Sequence, residues 1–216
     1  MRACCVPTGY DEFFSEKQAR RDARRYRKRG LDKTARRMVE FLTARGFEDA
    51  TVLDVGGGVG AIEIELLKAG AGRAVNVELS PSYEKEAAEL LREAGLEERV
   101  ERRIGDFARD GIEPADVVVL HRVVCCYPDY EGLVGAAADQ ARRALVLSFP
   151  KETWLTRSAF VAFNLVQRLR RKDFRAYVHP VVGILGAAER RGLRPAFEHR
   201  GAFWQAAGLE RTSRTG

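Results

Sequence analysis

A glycine-rich turn between an apolar stretch and a helix-forming stretch constrains the fold of this chain more than any other feature. Residues 52–55 are apolar except for Asp54, and they run directly into a segment at 56–60 that contains four glycines. Glycine permits a tight turn and lets the backbone approach a ligand that a Cβ atom would exclude. A strand, a glycine turn and a helix in this order predict a nucleotide-binding α/β unit.

Apolar strands and helices alternate along the remainder of the chain. We predict strands at 51–55, 74–79, 100–104, 116–124 and 144–149, and a hairpin at 195–211. We predict helices at 15–29, 32–45, 61–69, 81–94, 130–143 and 180–191, and a long, basic and aromatic helix within 151–178. Strands of continuous Val and Leu indicate a parallel sheet that helices cover on both faces. Right-handed crossovers then give a doubly wound, mostly parallel, seven-stranded α/β sheet, whose ligands bind beyond the carboxyl ends of the strands.

The 216 residues have the composition of one soluble globular domain, with 45% hydrophobic and 31% charged residues. This composition excludes a disordered or fibrous chain. No apolar run approaches the roughly 18 residues that a bilayer span needs, and no signal peptide opens the chain, so we expect a cytoplasmic protein without a membrane span. We divide the domain into an N-terminal helical lid, a cofactor-binding core, a basic substrate insertion after the fifth strand, and a C-terminal helix and hairpin, at residues 1–46, 51–150, 151–178 and 179–212.

Positive charge is concentrated in two segments. Residues 17–37 contain eleven basic and two acidic residues, and a second basic stretch follows at 168–175. Such segments attract phosphate or carboxylate groups, although a solvated helix face is the simpler interpretation of the first one. A nucleic-acid substrate therefore ranks below a small molecule, because the sequence contains no recognised RNA-binding motif.

Two carboxylates indicate what the glycine turn binds. Glu78 ends the second predicted strand, where a carboxylate can accept hydrogen bonds from both hydroxyls of a ribose. Asp54 enters the turn where a dinucleotide would place its pyrophosphate, and two negative groups repel each other there. The pair predicts a cofactor with a positive charge and no phosphate, such as a sulfonium attached to adenosine.

An acidic residue followed by Gly-x-Gly-x-Gly resembles the first motif of the class I S-adenosylmethionine-dependent methyltransferases. The resemblance extends to Gly105-Asp106-Phe107 and to the fourth strand. It implies a Rossmann-like methyltransferase fold and an enzyme that uses S-adenosyl-L-methionine as its cofactor. The residues that it implies for cofactor binding are Asp54, Gly56, Gly57, Gly58, Gly60, Glu78, Leu79, Asp106, Phe107 and His121.

Within that class, the chain also resembles the magnesium-protoporphyrin O-methyltransferases. The shared features are an N-terminal pair of helices at 14–42, the pair Tyr127-Pro128, the strand end at 147–151, and a basic insertion that leads to Tyr177-x-His179. The segment 121–126 departs from that family, as does the N-terminal Cys-Cys pair. The resemblance implies a small, anionic or planar substrate, including O-methylation of a carboxylate.

The chemistry of methyl transfer suggests roles for further residues. Water exclusion and alignment of the nucleophile supply much of the catalysis, so we expect the N-terminal helices to act as a lid. A carboxylate acceptor is already ionised and needs cations, which Arg122, Arg170, Arg171 and Arg175 could supply; a phenol or amine needs a base. The candidate catalytic residues are His121, Tyr127 and His179, and the candidate substrate-binding residues are Tyr10, Phe14, Arg122, Cys125, Cys126 and Arg175.

Two pairs of adjacent cysteines, Cys4-Cys5 and Cys125-Cys126, leave several alternatives open. Their spacing fits neither a disulfide framework nor a C-x-x-C zinc site. Buried inert thiols are the simplest interpretation, and a shared thiol site for a soft metalloid, copper or zinc is the alternative. Because neighbouring residues on a strand point to opposite faces, we expect one cysteine of each pair to face such a site. A cofactor-binding regulator without catalytic activity is a further alternative.

Overall fold

The computed structural model describes residues 9–212 of the chain. Within this range seven strands form a single sheet in the order β3-β2-β1-β4-β5-β7-β6. The strands are β1 (Thr51–Val55), β2 (Arg73–Glu78), β3 (Val100–Ile104), β4 (Ala115–His121), β5 (Ala141–Pro150), β6 (Leu193–Arg200) and β7 (Trp204–Arg211).

Helices flank this sheet and also precede it. They are α1 (Tyr10–Phe13), α2 (Glu16–Arg29), α3 (Lys33–Thr43), α4 (Ala61–Lys68), α5 (Glu84–Ala94), α6 (Tyr130–Gln140), α7 (Trp154–Leu169) and α8 (Val181–Glu189). Asp32 caps α3 by accepting hydrogen bonds from the backbone N–H groups of Thr34 and Ala35, as a residue at this position does when it satisfies the unpaired donors of a first helical turn.

The five strands β1 to β5 are parallel, whereas β7 is antiparallel to both β5 and β6. This arrangement confirms the predicted seven-stranded, mostly parallel α/β sheet. Strand order reverses between β1 and β4, because the chain leaves β1 towards β2 and returns on the other side. A reversal of this kind opens a crevice at the carboxyl ends of the two strands.

Two apolar layers bury the sheet. Val117 and Val119 of β4 pack on the side of α2, α3, α4 and α5, while Val118 and Leu120 pack on the side of α6 and α8. Successive side chains of a strand point to opposite faces, so the run of Val and Leu in β4 has both faces buried.

The structure moves two predicted boundaries near the site. β4 ends at His121 rather than at residue 124, because a 3₁₀ turn at Val124–Cys126 follows it. The helix predicted in the insertion ends at Leu169, and Arg171 then adopts a left-handed φ of 56°. Phe174 therefore lies in an irregular segment instead of a helix, and it is buried.

No helix within residues 9–212 has the length and the apolar composition that are required to cross a bilayer. Cys4 and Cys5, which form half of the predicted thiol site, lie outside the described residues.

Candidate active site

A cavity of about 370 Å³ lies at the carboxyl ends of the strands, and the N-terminal helices cover it. Most of the residues predicted to bind the cofactor line this cavity. They are Gly56, Gly57, Gly58, Glu78, Leu79, Asp106, Phe107 and His121.

The glycine turn forms one wall of the cavity. Gly56 and Gly58 have φ values of 62° and 58°, and Gly60 has φ of 78° immediately before α4 begins. A Cβ atom on Gly57 would collide with the Asn76 amide and lie 2.7 Å from the carboxyl carbon of Asp54. Left-handed backbone and close packing together require glycine at these positions.

Glu78 joins the glycine turn to the end of β2. Its Oε2 accepts the Gly58 N–H at 2.9 Å, and its Oε1 accepts the Ser80 N–H at 3.1 Å. Burial raises the pKa of Glu78, although these hydrogen bonds oppose the shift. Each carboxylate oxygen carries a second lone pair, so Glu78 retains acceptor capacity on the side that faces the cavity.

Asp54 does not lie where the sequence analysis expects it. Its side chain is 1% exposed, is packed beneath Gly57, and does not line the cavity. Burial and then the charge of Glu63 raise the pKa of Asp54 well above its usual value. Asp54 therefore does not select against a dinucleotide, because the turn separates its carboxyl from the cavity.

A buried polar network that the sequence analysis missed supports the turn from behind. Asn76 donates to Glu63 at 2.8 Å, and Arg102 donates to the Gly58 carbonyl at 3.0 Å. Arg102 also lies 3.6 Å from Glu63, whose pKa burial raises to about 7 against the opposing charge of Arg102. Neither oxygen of Asp54 has a hydrogen-bond partner among residues 9–212. The network holds the turn in one conformation.

Asp106 and Tyr127 form a second polar wall. The Tyr127 hydroxyl donates to Asp106 at 3.2 Å, and Asp106 also accepts the Ala108 N–H at 3.1 Å. Burial, followed by the charge of Asp106, raises the pKa of Tyr127 to about 12. Tyr127, predicted as a catalytic residue, is therefore a neutral donor that orients Asp106, and Phe107 lies beside them in the same wall.

His121 is held at both ring nitrogens. Nε2 lies 3.2 Å from Asp32, and Nδ1 lies 2.9 Å from the Ser148 hydroxyl. Burial lowers the pKa of His121, although the hydrogen bond to Asp32 opposes this shift. A neutral ring that donates to Asp32 and accepts from Ser148 has no free lone pair. His121 therefore lines the cavity, but it is not free to remove a proton from a substrate.

Arg122 faces the same cavity and shares Asp32 with His121. Its guanidinium lies 2.8 Å from Asp32 and 4.8 Å from the centre of the Trp204 ring. Burial raises the pKa of Asp32, but His121 and Arg122 outweigh this effect and hold it well below its usual value. The N-cap of α3 is consequently an ionised carboxylate that fixes two cavity residues.

One face of α2 supplies lining residues that the sequence analysis did not select. The hydroxyl of Tyr83 lies 3.3 Å from Asp22, which also accepts from Gln18 at 2.9 Å. The new lining residues of this helix are Gln18, Arg21, Asp22, Arg25 and Tyr26. Their spacing of three and four residues, which marks one face of a helix, was the available signal.

Other basic residues of α2 dock the helix instead of binding a ligand. Arg27 lies 2.7 Å from Glu93 and 3.5 Å from Glu89 on α5. The basic segment is therefore in part an interface between helices, which weakens the interpretation of this segment as a nucleic-acid-binding face.

Tyr10 and Phe14, predicted to bind substrate, do line the cavity. The Tyr10 hydroxyl donates to the Cys126 carbonyl, and burial raises the pKa of Tyr10 far above its usual value. Phe14 accepts a hydrogen bond from the Ser80 hydroxyl at its carbonyl, at 2.9 Å. The start of the described chain is thus tied to the cavity at two points.

Several predicted residues do not reach the cavity. His179 donates from Nε2 to the Tyr127 carbonyl, 3.0 Å away, and Arg175 donates to the Phe174 carbonyl at 2.8 Å. The chain reverses after α7 and passes behind the 3₁₀ turn, where the Tyr177 N–H donates to the Cys125 carbonyl at 2.7 Å. The predicted residues outside the cavity wall are Asp54, Gly60, Cys125, Arg170, Arg171, Arg175 and His179.

Cys125 and Cys126 lie in the 3₁₀ turn rather than on a strand, so their side chains do not point apart as expected. Their sulfur atoms are 3.6 Å apart. Cys126 lines the cavity, whereas Cys125 is buried. The hydrogen bond to Cys125 and burial raise the pKa of Cys126. Among residues 9–212 no cluster of three His, Cys, Asp or Glu side chains has the arrangement of a metal site.

Comparison with known proteins places this geometry in a family. The sequence model of the O-methyltransferase domain matches residues 8–133. A search of curated protein sequences finds no match.

Solved structures share the fold. Magnesium protoporphyrin IX methyltransferase from Synechocystis PCC 6803, with bound S-adenosylhomocysteine, aligns with a TM-score of 0.75 at 22% identity, over 93% of this chain and 97% of that one. An O-methyltransferase family protein from Burkholderia thailandensis aligns with a TM-score of 0.72 at 20% identity, over 97% and 64%. Human N-acetylserotonin methyltransferase, in complex with S-adenosylmethionine, aligns with a TM-score of 0.67 at 17% identity, over 96% and 61%.

These matches confirm the predicted Rossmann-like fold and the predicted class of S-adenosylmethionine-dependent methyltransferase. The family match covers more than half of the 216 residues. This chain belongs to the O-methyltransferase domain family.

Proposed function

We propose that this chain methylates an oxygen atom of a small anionic molecule, and that a carboxylate is the favoured acceptor. One observation carries the proposal. His121, the one histidine among the described lining residues, has both ring nitrogens engaged, whereas Arg21, Arg25 and Arg122 line the same cavity. The carboxylates of this wall also have protein partners, namely Asp22, Asp32, Glu78 and Asp106. Cations beside bases that are already engaged suit an acceptor that is itself ionised.

The cavity wall fits S-adenosylmethionine, which supplies a sulfonium-bound methyl group when bound. The glycine turn leaves room in the cavity wall, since a Cβ atom on Gly56 would lie 2.7 Å from the side chain of Val123, another lining residue. Glu78 retains acceptor capacity for the two ribose hydroxyls, and Asp106 with Phe107 would hold the adenine. Structures that share the fold contain this cofactor, as in human N-acetylserotonin methyltransferase in complex with S-adenosylmethionine, which supports this assignment.

A carboxylate acceptor needs no proton transfer, and its negative charge is neutralised as the positive charge on sulfur is lost. An oxygen lone pair forms the new C–O bond while the C–S bond breaks, and the electron pair of that bond remains on sulfur. No proton is transferred in this step. The protein must therefore bind the carboxylate, align it and exclude water, and alignment alone can contribute roughly 7–11 kcal/mol.

The arginines would bind the acceptor. A charge-assisted hydrogen bond contributes about 1.5–3 kcal/mol, and Asp32 fixes the guanidinium of Arg122 so that less side-chain entropy is lost on binding. Tyr10 and Phe14 supply an apolar wall for a planar body. The N-terminal segment that carries these rings would act as the lid.

Product chemistry tests the proposal directly. The enzyme would be incubated with S-adenosylmethionine and a panel of matched aromatic carboxylates and phenols, and products would be identified by mass spectrometry. We expect methyl esters, with kcat/KM for carboxylates independent of pH between about 6 and 9, because the acceptor group is ionised throughout this range. Methylation of phenols alone, with a rate that rises with pH, would contradict the proposal.

The paired thiols favour a second candidate function, methylation of a soft metalloid. Two thiolates that share one tetrahedral zinc ion at about 2.3 Å lie roughly 3.8 Å apart. The sulfur atoms of Cys125 and Cys126 are 3.6 Å apart, so both are close enough to bind one soft ion. Arsenite with a thiol reductant is the probe, and methylated arsenic is the product. Turnover that both Cys125→Ser and Cys126→Ser lower separately would support this candidate, and undiminished turnover in both would reject it.

A further inference from the structure

Helix α7 turns an apolar face away from the protein. Its buried side chains are the polar Thr156 and Gln167. Its large exposed hydrophobic side chains are Trp154, Leu155, Val161, Leu165, Val166 and Leu169. A helix turns 100° per residue, so these six lie within an arc of about 140°. They form one continuous apolar stripe that faces away from the protein, which we call the α7 stripe.

The opposite face of α7 is firmly attached to the protein. Asn164 exchanges two hydrogen bonds with the backbone of Ala176, at 2.8 and 3.0 Å. Phe163 packs edge-on against Phe13 with ring centres 5.7 Å apart, and Phe160 stacks on Phe203 at 6.1 Å. The α7 stripe is thus presented outward by specific contacts on the other side.

The charge around the stripe is almost uniformly positive. Residues 151–175 include seven basic and two acidic residues, and α7 itself contains no acidic residue. Two of the bases have partners, since Arg157 pairs with Glu152 and Lys172 with Glu12. Arg168, Arg170 and Arg171 are exposed and have no ion-pair partner among residues 9–212. An exposed apolar stripe beside unpaired cations is complementary to a surface that has negative charges on the outside and an apolar layer beneath them.

We propose that α7 binds the surface of an anionic lipid bilayer, lying in the interface with its stripe among the acyl chains. Helices that lie in a membrane interface have Trp, Phe or Leu on their apolar face and Lys or Arg on their polar face. A second copy of this chain fits less well, because two basic segments of the same sign would repel each other when their stripes meet. The proposal does not depend on the identity of the methyl acceptor.

Binding at α7 would orient the active site. Phe13 stacks on Phe174 at 4.1 Å, and Phe174 packs against Tyr10 and Phe14 at 5.5 and 5.4 Å. Tyr10 and Phe14 line the cavity. A continuous aromatic cluster therefore connects the membrane-facing helix to the wall where the acceptor would bind.

Vesicle sedimentation tests the proposal with the full chain. The vesicles would contain phosphatidylcholine alone or phosphatidylcholine with phosphatidylglycerol. We expect binding to the anionic vesicles that falls with added salt. Val161→Glu combined with Leu165→Glu should weaken binding at least about hundredfold, because both side chains lose their burial among the acyl chains and about 1.4 kcal/mol is tenfold. Arg168→Glu should weaken binding about fivefold or more, from about 1 kcal/mol per cation.

Matched controls separate this effect from misfolding. Ile104→Glu changes an exposed hydrophobic residue on the edge strand β3, and it should leave vesicle binding unchanged. All altered residues are exposed, so far-ultraviolet circular dichroism and thermal midpoints should match the wild type. Equal vesicle binding by the wild type and the Val161/Leu165 variant would overturn the proposal. A dimer in lipid-free solution that this variant abolishes would also overturn it, in favour of a second copy.

Discussion

The cavity has two halves that recognise their ligands by different means. The half formed by β1, β2 and their turns uses backbone groups and one buried carboxylate, with Glu78 at 7% exposure. The half formed by α2 and the segment after β4 uses long side chains, including the exposed Arg21 and Arg25. The first half is fixed by the hydrogen bonds of the sheet, whereas the second is set by how helices pack over it.

This difference supports a proposed division of tasks between the two halves. Backbone geometry changes little between sequences with the same fold, so the strand half suits a cofactor that a whole family shares. Flexible cations on a helix can be replaced without disturbing the sheet, so the helix half suits the variable methyl acceptor. Substitutions in the strand half should therefore reduce cofactor affinity, and substitutions in the helix half should alter acceptor kinetics alone.

The largest effect is expected for Glu78→Ala. Loss of two charge-assisted hydrogen bonds of about 1.5–3 kcal/mol each should weaken cofactor binding at least about hundredfold. Isothermal titration calorimetry with S-adenosylhomocysteine measures this change. Glu89→Ala, which removes a half-exposed carboxylate from α5, is the matched control and should bind normally. Normal affinity of Glu78→Ala for S-adenosylhomocysteine would contradict the assignment of the cofactor to this half of the cavity.

Gly57→Ala tests whether the turn is held by packing. The added methyl group would collide with Asn76 and approach the buried Asp54 carboxyl, and overpacking of this kind costs about 1–3 kcal/mol. We expect a thermal midpoint lower by several degrees together with weaker cofactor binding. Gly111→Ala, where a Cβ atom meets nothing within 4 Å, should leave both measurements unchanged. Equal midpoints for the two variants would show that the turn tolerates a side chain.

These two variants probe the part of the site that could be predicted from sequence. A strand that enters a glycine turn is a local signal, and the carboxylate of Glu78 follows from the end of the next strand. The burial of Asp54 also follows from the sequence, because a strand in a parallel α/β sheet has both faces covered by helices. Strand alternation turns Asp54 towards the buried side of Val52.

The helix half could not be predicted in the same way, because its residues meet only through tertiary packing. The periodicity of α2 identifies a face, but it does not state which part of the sheet that face covers. Arg175 is expected to bind the acceptor as a cation, and His179 is expected near the strand ends as a proton-handling group, yet the chain passes behind the 3₁₀ turn at Val124–Cys126. Sequence order alone does not fix the side on which an irregular segment passes.

Arg25→Gln should separate the two halves. Loss of one charge-assisted hydrogen bond should raise KM for a carboxylate acceptor about tenfold or more, and the dissociation constant of S-adenosylhomocysteine should remain unchanged. Steady-state kinetics and calorimetry on the same preparation give both values. Arg24→Gln, on the same helix but outside the cavity wall, is the control. A parallel loss of cofactor affinity in Arg25→Gln would contradict the division of tasks.

Asp32→Asn tests the electrostatic support of the helix half. The folded pKa of Asp32 lies below its unfolded value of about 3.9, since His121 and Arg122 outweigh burial. Its carboxylate therefore stabilises the fold above about pH 4, and this contribution is lost as the pH falls through the lower folded pKa. Asparagine retains the N-cap, so the variant should unfold more easily at pH 7 by about 1–3 kcal/mol. Urea denaturation should show the difference between the two proteins shrinking below about pH 4, and a difference that persists unchanged in acid would contradict this assignment.

The smallest effect is expected for Tyr10→Phe, which removes one hydroxyl from the proposed lid. The hydroxyl donates to the Cys126 carbonyl, and the ring lines the cavity. A hydrogen bond of this kind contributes about 0.5–1.5 kcal/mol, so kcat/KM should fall about twofold to tenfold while cofactor affinity stays constant. Tyr130→Phe, whose hydroxyl lies 3.4 Å from the exposed Glu131, should be kinetically silent. If Tyr10→Phe weakened S-adenosylhomocysteine binding as strongly as it lowered kcat/KM, the N-terminal segment would belong to the half of the cavity that binds the cofactor. Helix α1 would then be grouped with β1 and β2 instead of with α2.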